Sequence, residues 1–271
     1  MTEWFQHDLT SLAFLWRLER RDGVTMGFTS HDHNLSRGDL TYRAAPGLIP
    51  SAIERSDGLD ADTVELAGAL TSDALTSEDL LSGRWDGASL WVSAVDWAVD
   101  SAAPVLLVRG ELGSIDVKDS AFSAELRGVS SILDMPVIEE TSPACRASLG
   151  DKKCQVDLAP LEIFAEVAAQ NGGALLISGA ATIADDIYAF GSLRWIDGAN
   201  GGLISRIVGN VGALLTLRDP SAFPVLPGTR VLVTQGCDRR FTTCVNRFAN
   251  AANFRGEPHV PGNDLLTRYA G

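Results

Sequence analysis

The sequence has few of the features that mark secreted or membrane proteins. Only four of its 271 residues are cysteine, well below the density of small disulfide-stapled domains. No run approaches the ~18 consecutive apolar residues of a membrane-spanning helix. The segment Met1 to Asp8 carries acid where a signal peptide needs base. We therefore expect no membrane span, and we expect synthesis and assembly in the bacterial cytoplasm.

Positive charge is also scarce. Lysine and arginine together number 22 against 35 aspartate and glutamate residues, for a net charge of −13. A broad nucleic-acid-binding surface needs many cations to neutralise phosphates, so specific binding of DNA or RNA is not expected.

Catalytic motifs are missing as well. The chain has no Gly-x-Ser-x-Gly nucleophile elbow and no glycine-rich phosphate loop in its required context. Adjacent acids such as Glu139-Glu140 and Asp185-Asp186 are typical of solvated surface. The sequence therefore predicts a protein that is not an enzyme and has no catalytic residues.

What is present indicates a mainly β protein. Hydrophobic residues make up 45% of the chain and glycine occurs 26 times, in short alternating segments separated by turn residues. A capping pattern at 76–79 predicts a short helix that ends near residue 83, a helical turn is expected at 129–134, and the apolar spacing at 241–250 predicts another helix. The predicted strands are 12–19, 24–29, 40–44, 63–68, 89–96, 105–112, 121–127, 163–169, 174–177, 188–196, 203–210, 213–217 and 230–235.

These elements predict three domains. Residues 1–135 form an N-terminal β-barrel or sandwich-like module, which could be two small subdomains. Residues 159–235 form a second, inserted β module. Residues 136–158 together with 236–271 form a small irregular domain with one short helix.

The four cysteines form two pairs, and both lie in this irregular domain. Cys145 and Cys154 are spaced Cys-x8-Cys, and Cys237 and Cys244 are spaced Cys-x6-Cys. Zinc sites use tighter spacings, whereas iron–sulfur clusters accept thiolates from more open loops. From spacing alone an iron–sulfur cluster, a zinc site, disulfides and inert buried thiols all remain open.

Cations surround both pairs. Four thiolates around a cluster leave residual negative charge, which neighbouring cations would offset. Five of the 22 basic residues lie beside or within the pairs: Arg146, Lys152, Lys153, Arg239 and Arg240.

Histidines offer two weaker candidates. His31 and His33, which flank Asp32, could share a metal, but their place in a polar loop favours a role in stabilising a turn. His259 follows the second cysteine pair, where packing is the simpler role.

The cysteine spacings, Arg247-Phe248 and the run Asn253 to Pro258 together resemble a known family. They are similar to the C-terminal domain of minor tail protein L of lambda-like phages and of the hub proteins of gene transfer agents. The resemblance implies a [4Fe–4S] cluster held by Cys145, Cys154, Cys237 and Cys244. In lambda-like proteins the two pairs lie closer in sequence, so the roughly 80 intervening residues here indicate an inserted module.

The resemblance also implies a function. The chain would be a structural baseplate hub protein in a virion tail, with three copies in a ring between the distal tail protein and the tail tip or central fibre protein. DNA would pass through the lumen without specific binding. Two alternatives remain: a zinc-stapled β-rich adaptor, and a redox protein that uses the same four cysteines.

Overall fold

The computed structural model describes residues 11–44, 49–50, 63–69, 76–118, 121–128, 138–178 and 183–260. The chain divides into two compact units, Met1–Val137 and Ile138–Gly271. Both are built mainly from β-strands, which confirms the predicted fold class. Among the described residues, no helix is both long and apolar enough to cross a membrane.

The described part of the first unit contains one sheet of nine strands and a short helix. The sheet order is β3-β4-β2-β1-β7-β8-β9-β6-β5. The strands are β1 Leu12–Glu19, β2 Thr25–Thr29, β3 Leu35–Arg37, β4 Leu40–Ala44, β5 Ile49–Pro50, β6 Thr63–Ala69, β7 Ser89–Asp96, β8 Val105–Lys118 and β9 Ala121–Arg127, and the helix is α1 Ser77–Leu81.

Local sequence signals account for the start of this unit. Asp22-Gly23 turns the chain between the antiparallel strands β1 and β2, and Gly23 adopts a φ of +89°, a conformation that glycine tolerates best. The Thr76 side chain caps α1 by accepting a hydrogen bond from the Asp79 amide at 3.1 Å. The hairpin and the helix cap are therefore as predicted.

Strand β1 buries side chains on both faces of the sheet. Trp16 and Leu18 belong to a large core cluster that includes Trp85. Leu15, on the opposite face, packs in a smaller cluster with Val95.

The second unit contains a closed six-stranded barrel in the order β10-β11-β14-β13-β12-β15. Its core is lined by inward-facing apolar residues such as Val167, Leu193, Leu215 and Val231. The strands are β10 Glu162–Asn171, β11 Ala174–Ser178, β12 Ser192–Trp195, β13 Ile204–Val211, β14 Leu214–Leu217 and β15 Arg230–Thr234. Helix α2, Phe241–Asn246, follows the barrel, and 3-10 turns cover Ala159–Leu161 and Ala251–Asn253.

Several predicted boundaries were wrong. The strand predicted at 188–196 begins only at Ser192, because Phe190, inside the predicted range, has a φ angle of +63°, which a strand cannot accommodate. The helix predicted at 241–250 ends at Asn246, and Ala249 beyond it also has a positive φ of +49°.

Other differences concern short or uncertain elements. The short strands β3 and β5 were not predicted, and β8 continues six residues beyond its predicted end at residue 112. The helical turn predicted at 129–134 lies outside the described residues. The three-domain division remains a prediction.

One buried polar side chain in β13 joins the segment before β12 to the turn between β13 and β14. Asn210 is 2% exposed, and its Oδ1 accepts the Tyr188 amide at 2.8 Å. Its Nδ2 donates to the carbonyl oxygens of Ala184 and Gly212, each at 2.9 Å. The side chain therefore satisfies three main-chain groups that the adjoining strands leave unpaired.

We predict that Asn210→Ala loosens the barrel, because it leaves a buried amide and two carbonyls without partners. Each such group costs about 1–3 kcal/mol, so even one group left without a partner should make barrel amides exchange with solvent roughly 10- to 100-fold faster. Hydrogen exchange with mass spectrometry on the full chain measures this. Asn246→Ala, at an exposed position in α2, is the matched control. Equal exchange in both variants would contradict the assignment.

Candidate metal centre

The barrel returns the chain to the place where it entered. Glu162, the first residue of β10, pairs with Thr234, the last residue of β15, and the Thr234 hydroxyl donates to the Glu162 carboxylate at 3.2 Å. Cys154 lies a few residues before this pair and Cys237 a few residues after it. The two cysteine segments therefore leave the barrel side by side, although the whole barrel separates them in sequence.

Gly236 allows the second cysteine segment to pass close to the main chain of residues 189–191 as it leaves the barrel. A Cβ atom at Gly236 would lie 2.0 Å from the carbonyl oxygen of Ala189 and 2.2 Å from the nitrogen of Gly191. Both contacts are to main-chain atoms, so no side-chain movement could relieve them. The residue before Cys237 must therefore be glycine for the chain to follow this path.

A carboxylate shapes the loop that carries the first pair. Asp151 accepts hydrogen bonds from the amides of Cys154 at 2.6 Å, Lys153 at 2.9 Å and Ser148 at 2.7 Å. The bond from the Cys154 amide, followed by the bond from the Ser148 amide, makes the largest contribution to lowering the pKa of Asp151. Asp151 thus fixes the turn that orients Cys154.

The second pair is set by a tight turn into helix α2. The amide of Arg239, whose φ is +61°, donates to Cys237 Sγ at 3.4 Å. Asp238 accepts the Arg240 amide at 3.0 Å and the Thr243 hydroxyl at 2.9 Å. Cys244 then lies on the buried side of α2.

Main-chain hydrogen bonds join the two segments directly. The Cys145 amide donates to the carbonyl oxygen of Arg239 at 2.9 Å, and the Arg255 amide donates to Cys145 Sγ at 3.4 Å. Gly256 fits closely here, since a Cβ atom at this position would lie 2.6 Å from the carbonyl oxygen of Ala144.

The four thiols face one another in a largely buried space. Cys154 and Cys244 are 9% and 8% exposed, and Cys145 and Cys237 are partly buried. Burial is the main cause that raises the pKa of Cys244, and the negative charges of Cys145, Cys237 and Cys154 raise it further. Burial also raises the pKa of Cys237. A positive charge placed among the thiols would therefore favour deprotonation of Cys237 and Cys244.

The arrangement of the sulfurs bears on the possible uses of this site. All four cysteines are free thiols, with no disulfide between them. Among the described residues, the one set of three potential metal-ligand atoms within 4.8 Å of one another is His31-Asp32-His33. No three of the thiol sulfurs therefore come within 4.8 Å of one another. Four converging thiols are a donor set that both zinc and iron–sulfur clusters use.

The cations predicted to offset the thiolates are mostly engaged by carboxylates. Lys153 Nζ contacts Glu139 at 2.5 Å, and Arg240 lies 3.9 Å from Asp238. Arg146 bonds to Glu139 at 3.1 Å. Their side chains thus brace the two loops, a role that the sequence alone did not reveal.

Arg146 and Glu257 form the strongest of these pairs. The guanidinium makes two parallel bonds to the carboxylate, at 2.7 and 2.9 Å, and Glu257 also accepts the Ser142 amide at 2.9 Å. The Arg146 bond is the main cause that lowers the pKa of Glu257 to about 2. This pair joins the first cysteine loop to the segment after the second cysteine pair.

The histidine candidates are satisfied locally. The His33 ring bonds to Asp32 at 2.8 Å, and the His33 amide donates to the His31 ring at 3.0 Å. The His31 ring packs against Trp97, with 4.7 Å between centroids. His259 packs edge-on against Phe241. These contacts favour the expected turn-stabilising and packing roles.

We predict that Glu257→Gln removes an acid-sensitive contact between the two cysteine loops. The folded-state pKa of Glu257 is lowered to about 2 from 4.5, so its contribution is complete above pH 4.5 and is lost as pH falls towards 2. In reduced, metal-free protein, protection factors for 138–158 should fall over that window in the wild type. They should be lower and flatter in the variant.

Glu140→Gln is the control for this experiment, since the Glu140 side chain is exposed and its neighbour Glu139 is left in place. A Glu257→Gln variant with the wild-type pH dependence would show that another group controls the loop.

Comparison with known proteins agrees with this architecture. Residues 1–157 match a family model described as a baseplate hub protein N-terminal attachment domain. Residues 186–264 match a phage conserved hypothetical protein family, BR0599. No curated protein matches the chain.

A solved structure extends the match to the full length. A chain from the virion of a native gene transfer agent particle is 35% identical, with a TM-score of 0.86, and the match covers 99% of this chain and 94% of that one. The resemblance to gene transfer agent hub proteins is therefore confirmed. The chain belongs to the baseplate hub protein family and is a component of a virion tail.

Proposed function

We propose that this protein is a non-enzymatic hub of the tail baseplate whose four cysteines hold a [4Fe–4S] cluster. The observation that carries the proposal is the convergence of Cys145, Cys154, Cys237 and Cys244 from two segments that the barrel separates. When bound, the cluster would take two ligands from each segment and so tie the two segments together.

In the described arrangement the thiol sulfurs are not gathered closely enough to bind a single zinc ion. With zinc–sulfur bonds of about 2.3 Å, tetrahedral geometry places thiolates about 3.8 Å apart. No three of the thiol sulfurs lie within 4.8 Å of one another. A cluster whose thiolates bind separate irons needs a wider separation.

The protein surroundings suit such a centre. Two of the four thiols are nearly inaccessible to solvent, and amides of Arg239 and Arg255 already donate to Cys237 and Cys145. Hydrogen bonds to the sulfurs would stabilise thiolate charge, and burial would limit attack by water and oxygen.

Exposed apolar residues on the outer wall of the barrel are consistent with assembly of the chain into a larger particle. Ile204, Val208 and Val211 along β13 are 62%, 53% and 70% exposed. Exposed apolar patches on soluble proteins mark interaction sites. We propose that neighbouring tail proteins cover this wall, with three copies of the chain in a closed ring between the distal tail protein and the tip or fibre protein.

The acidic composition fits a passage for DNA. A net charge of −13 would disfavour adhesion of a polyanion as it moves through the ring. The chain would then guide DNA without binding it specifically.

We predict that protein purified without oxygen contains about four irons and four acid-labile sulfides per chain, with a broad visible absorption shoulder. Cys237→Ser should lose both the absorption and most of the iron, because it removes one ligand. Absorption spectra and metal analysis test this, with Thr242→Ala at an exposed site in α2 as control. One zinc per chain, or folded metal-free protein, would refute the cluster.

We also predict that Val208→Asp reduces incorporation of the chain into tails without unfolding it. The residue is exposed in the isolated chain, so a carboxylate there is tolerated until a partner must desolvate it. Quantitative mass spectrometry of particles made with the variant in place of the wild type gives the incorporated amount.

Ala168→Asp is the matched control, because this exposed position lies on β10, three strands from β13 in either direction round the closed barrel, and the substitution adds the same charge. Normal incorporation of the Val208 variant would show that this wall is not an interface.

A further inference from the structure

Asn250 lies between the two cysteine segments and bonds to both. Its side-chain Nδ2 donates to the carbonyl oxygen of Cys154 at 2.6 Å and lies 3.7 Å from Cys154 Sγ. Its main-chain amide donates to the carbonyl oxygen of Cys244 at 3.0 Å. One residue therefore connects a cysteine of the first pair to a cysteine of the second.

The hydrogen-bond network fixes the orientation of the Asn250 amide. A carbonyl oxygen such as that of Cys154 only accepts, so the atom facing it must be the Asn250 nitrogen. The Asn250 oxygen faces away and accepts the side-chain amide of Asn253 at 2.7 Å. The N–H groups of Asn250 are thus held towards Cys154.

This connection persists when the thiols become ligands. In the protonated state the Cys244 thiol donates to the Asn250 carbonyl at 3.3 Å, and a thiolate cannot do so. The bonds that Asn250 donates remain available, and a donor close to Cys154 Sγ interacts more strongly with a thiolate than with a thiol.

The other connections between the segments work differently. Cys145 is joined to Arg239 and Arg255 through main-chain amides, which do not depend on side-chain identity. Arg146 and Glu257 form a partly exposed ion pair. In the described part of the chain, Asn250 is the residue of the second segment whose side chain donates to a cysteine of the first.

We propose that Asn250 is a positioning residue that aims Cys154 at the cluster and raises the cluster's reduction potential by donating to its thiolate. This inference rests on the proposed function, since it requires the cluster. Removing the donor should leave folding of the barrel unchanged, because the barrel core does not include Asn250 or the cysteines.

The test compares Asn250→Ala with Asn246→Ala, an exposed asparagine in α2, on full-length protein with its cluster. Loss of an outer hydrogen-bond partner commonly weakens a metal site 10- to 100-fold, so a chelator should remove iron at least ~10-fold faster from the Asn250 variant. Its midpoint potential should also be more negative, because a donor to the sulfur offsets the charge added on reduction.

Asn250→Asp refines the interpretation. It keeps the size of the side chain but replaces the donor by a carboxylate, so both effects should be at least as large as in the alanine variant. Asn253→Ala keeps the Asn250 donor but releases its orientation, and it should shift the potential in the same direction by less. This milder variant keeps the test decisive where the Asn250 variants fail to fold.

The outcomes distinguish the two proposals. Wild-type protein that binds no cluster refutes the proposed function and the role of Asn250 with it. A wild-type cluster whose potential and chelation rate are unchanged in the Asn250 variants refutes the role of Asn250 alone. Faster iron loss with an unchanged potential would also overturn it, because that is the result of a purely structural change.

Discussion

Closure of the barrel is the constraint on which the cysteine site depends. The first residue of β10 and the last residue of β15 are hydrogen-bonded neighbours, so the chain leaves the barrel beside the point where it entered. The length of the insertion then has no effect on the distance between the cysteine pairs. Closing an open loop of this length would carry a substantial entropic cost, and the barrel core meets that cost independently of any metal.

Close packing of main-chain segments keeps the two cysteine segments together beyond the end of the barrel. Gly236 packs against Ala189 and Gly191, and Gly256 packs against Ala144. Arg239 in a left-handed conformation then directs its amide to Cys237 while its carbonyl receives the Cys145 amide. A non-glycine residue in this conformation costs roughly 1–2 kcal/mol.

The sequence contained enough information to predict most of the strands, but not the contacts that join the two cysteine segments. Alternating burial in β1, β7 and β15 follows the period of two that apolar residues show in the sequence, and the cysteines were visible as two pairs. The roles of Asp151, Glu257 and Asn250 were not visible, because each acts on a main-chain or thiol group that only the folded chain brings within reach. Such partners leave no periodic pattern.

The early end of helix α2 shows why local rules fail here. Apolar spacing predicted a helix to residue 250, yet the chain turns at Ala249 through a positive φ. This turn brings the Asn250 amide back to the carbonyl of Cys244 and its side chain to Cys154. The tertiary contact, rather than helix propensity, determines where the helix stops.

The energetics of the two cysteine segments differ from those of the barrel. In 138–158 and 236–260 the buried residues are Ala147, Cys154, Gly236 and Cys244, and none belongs to a core cluster. The ion pairs there are partly exposed, and such pairs contribute little. Hydrophobic burial therefore cannot hold these segments together as it holds the barrel. Two of the four buried residues are proposed ligands, so the free energy of ligand binding would become the folding free energy of this region.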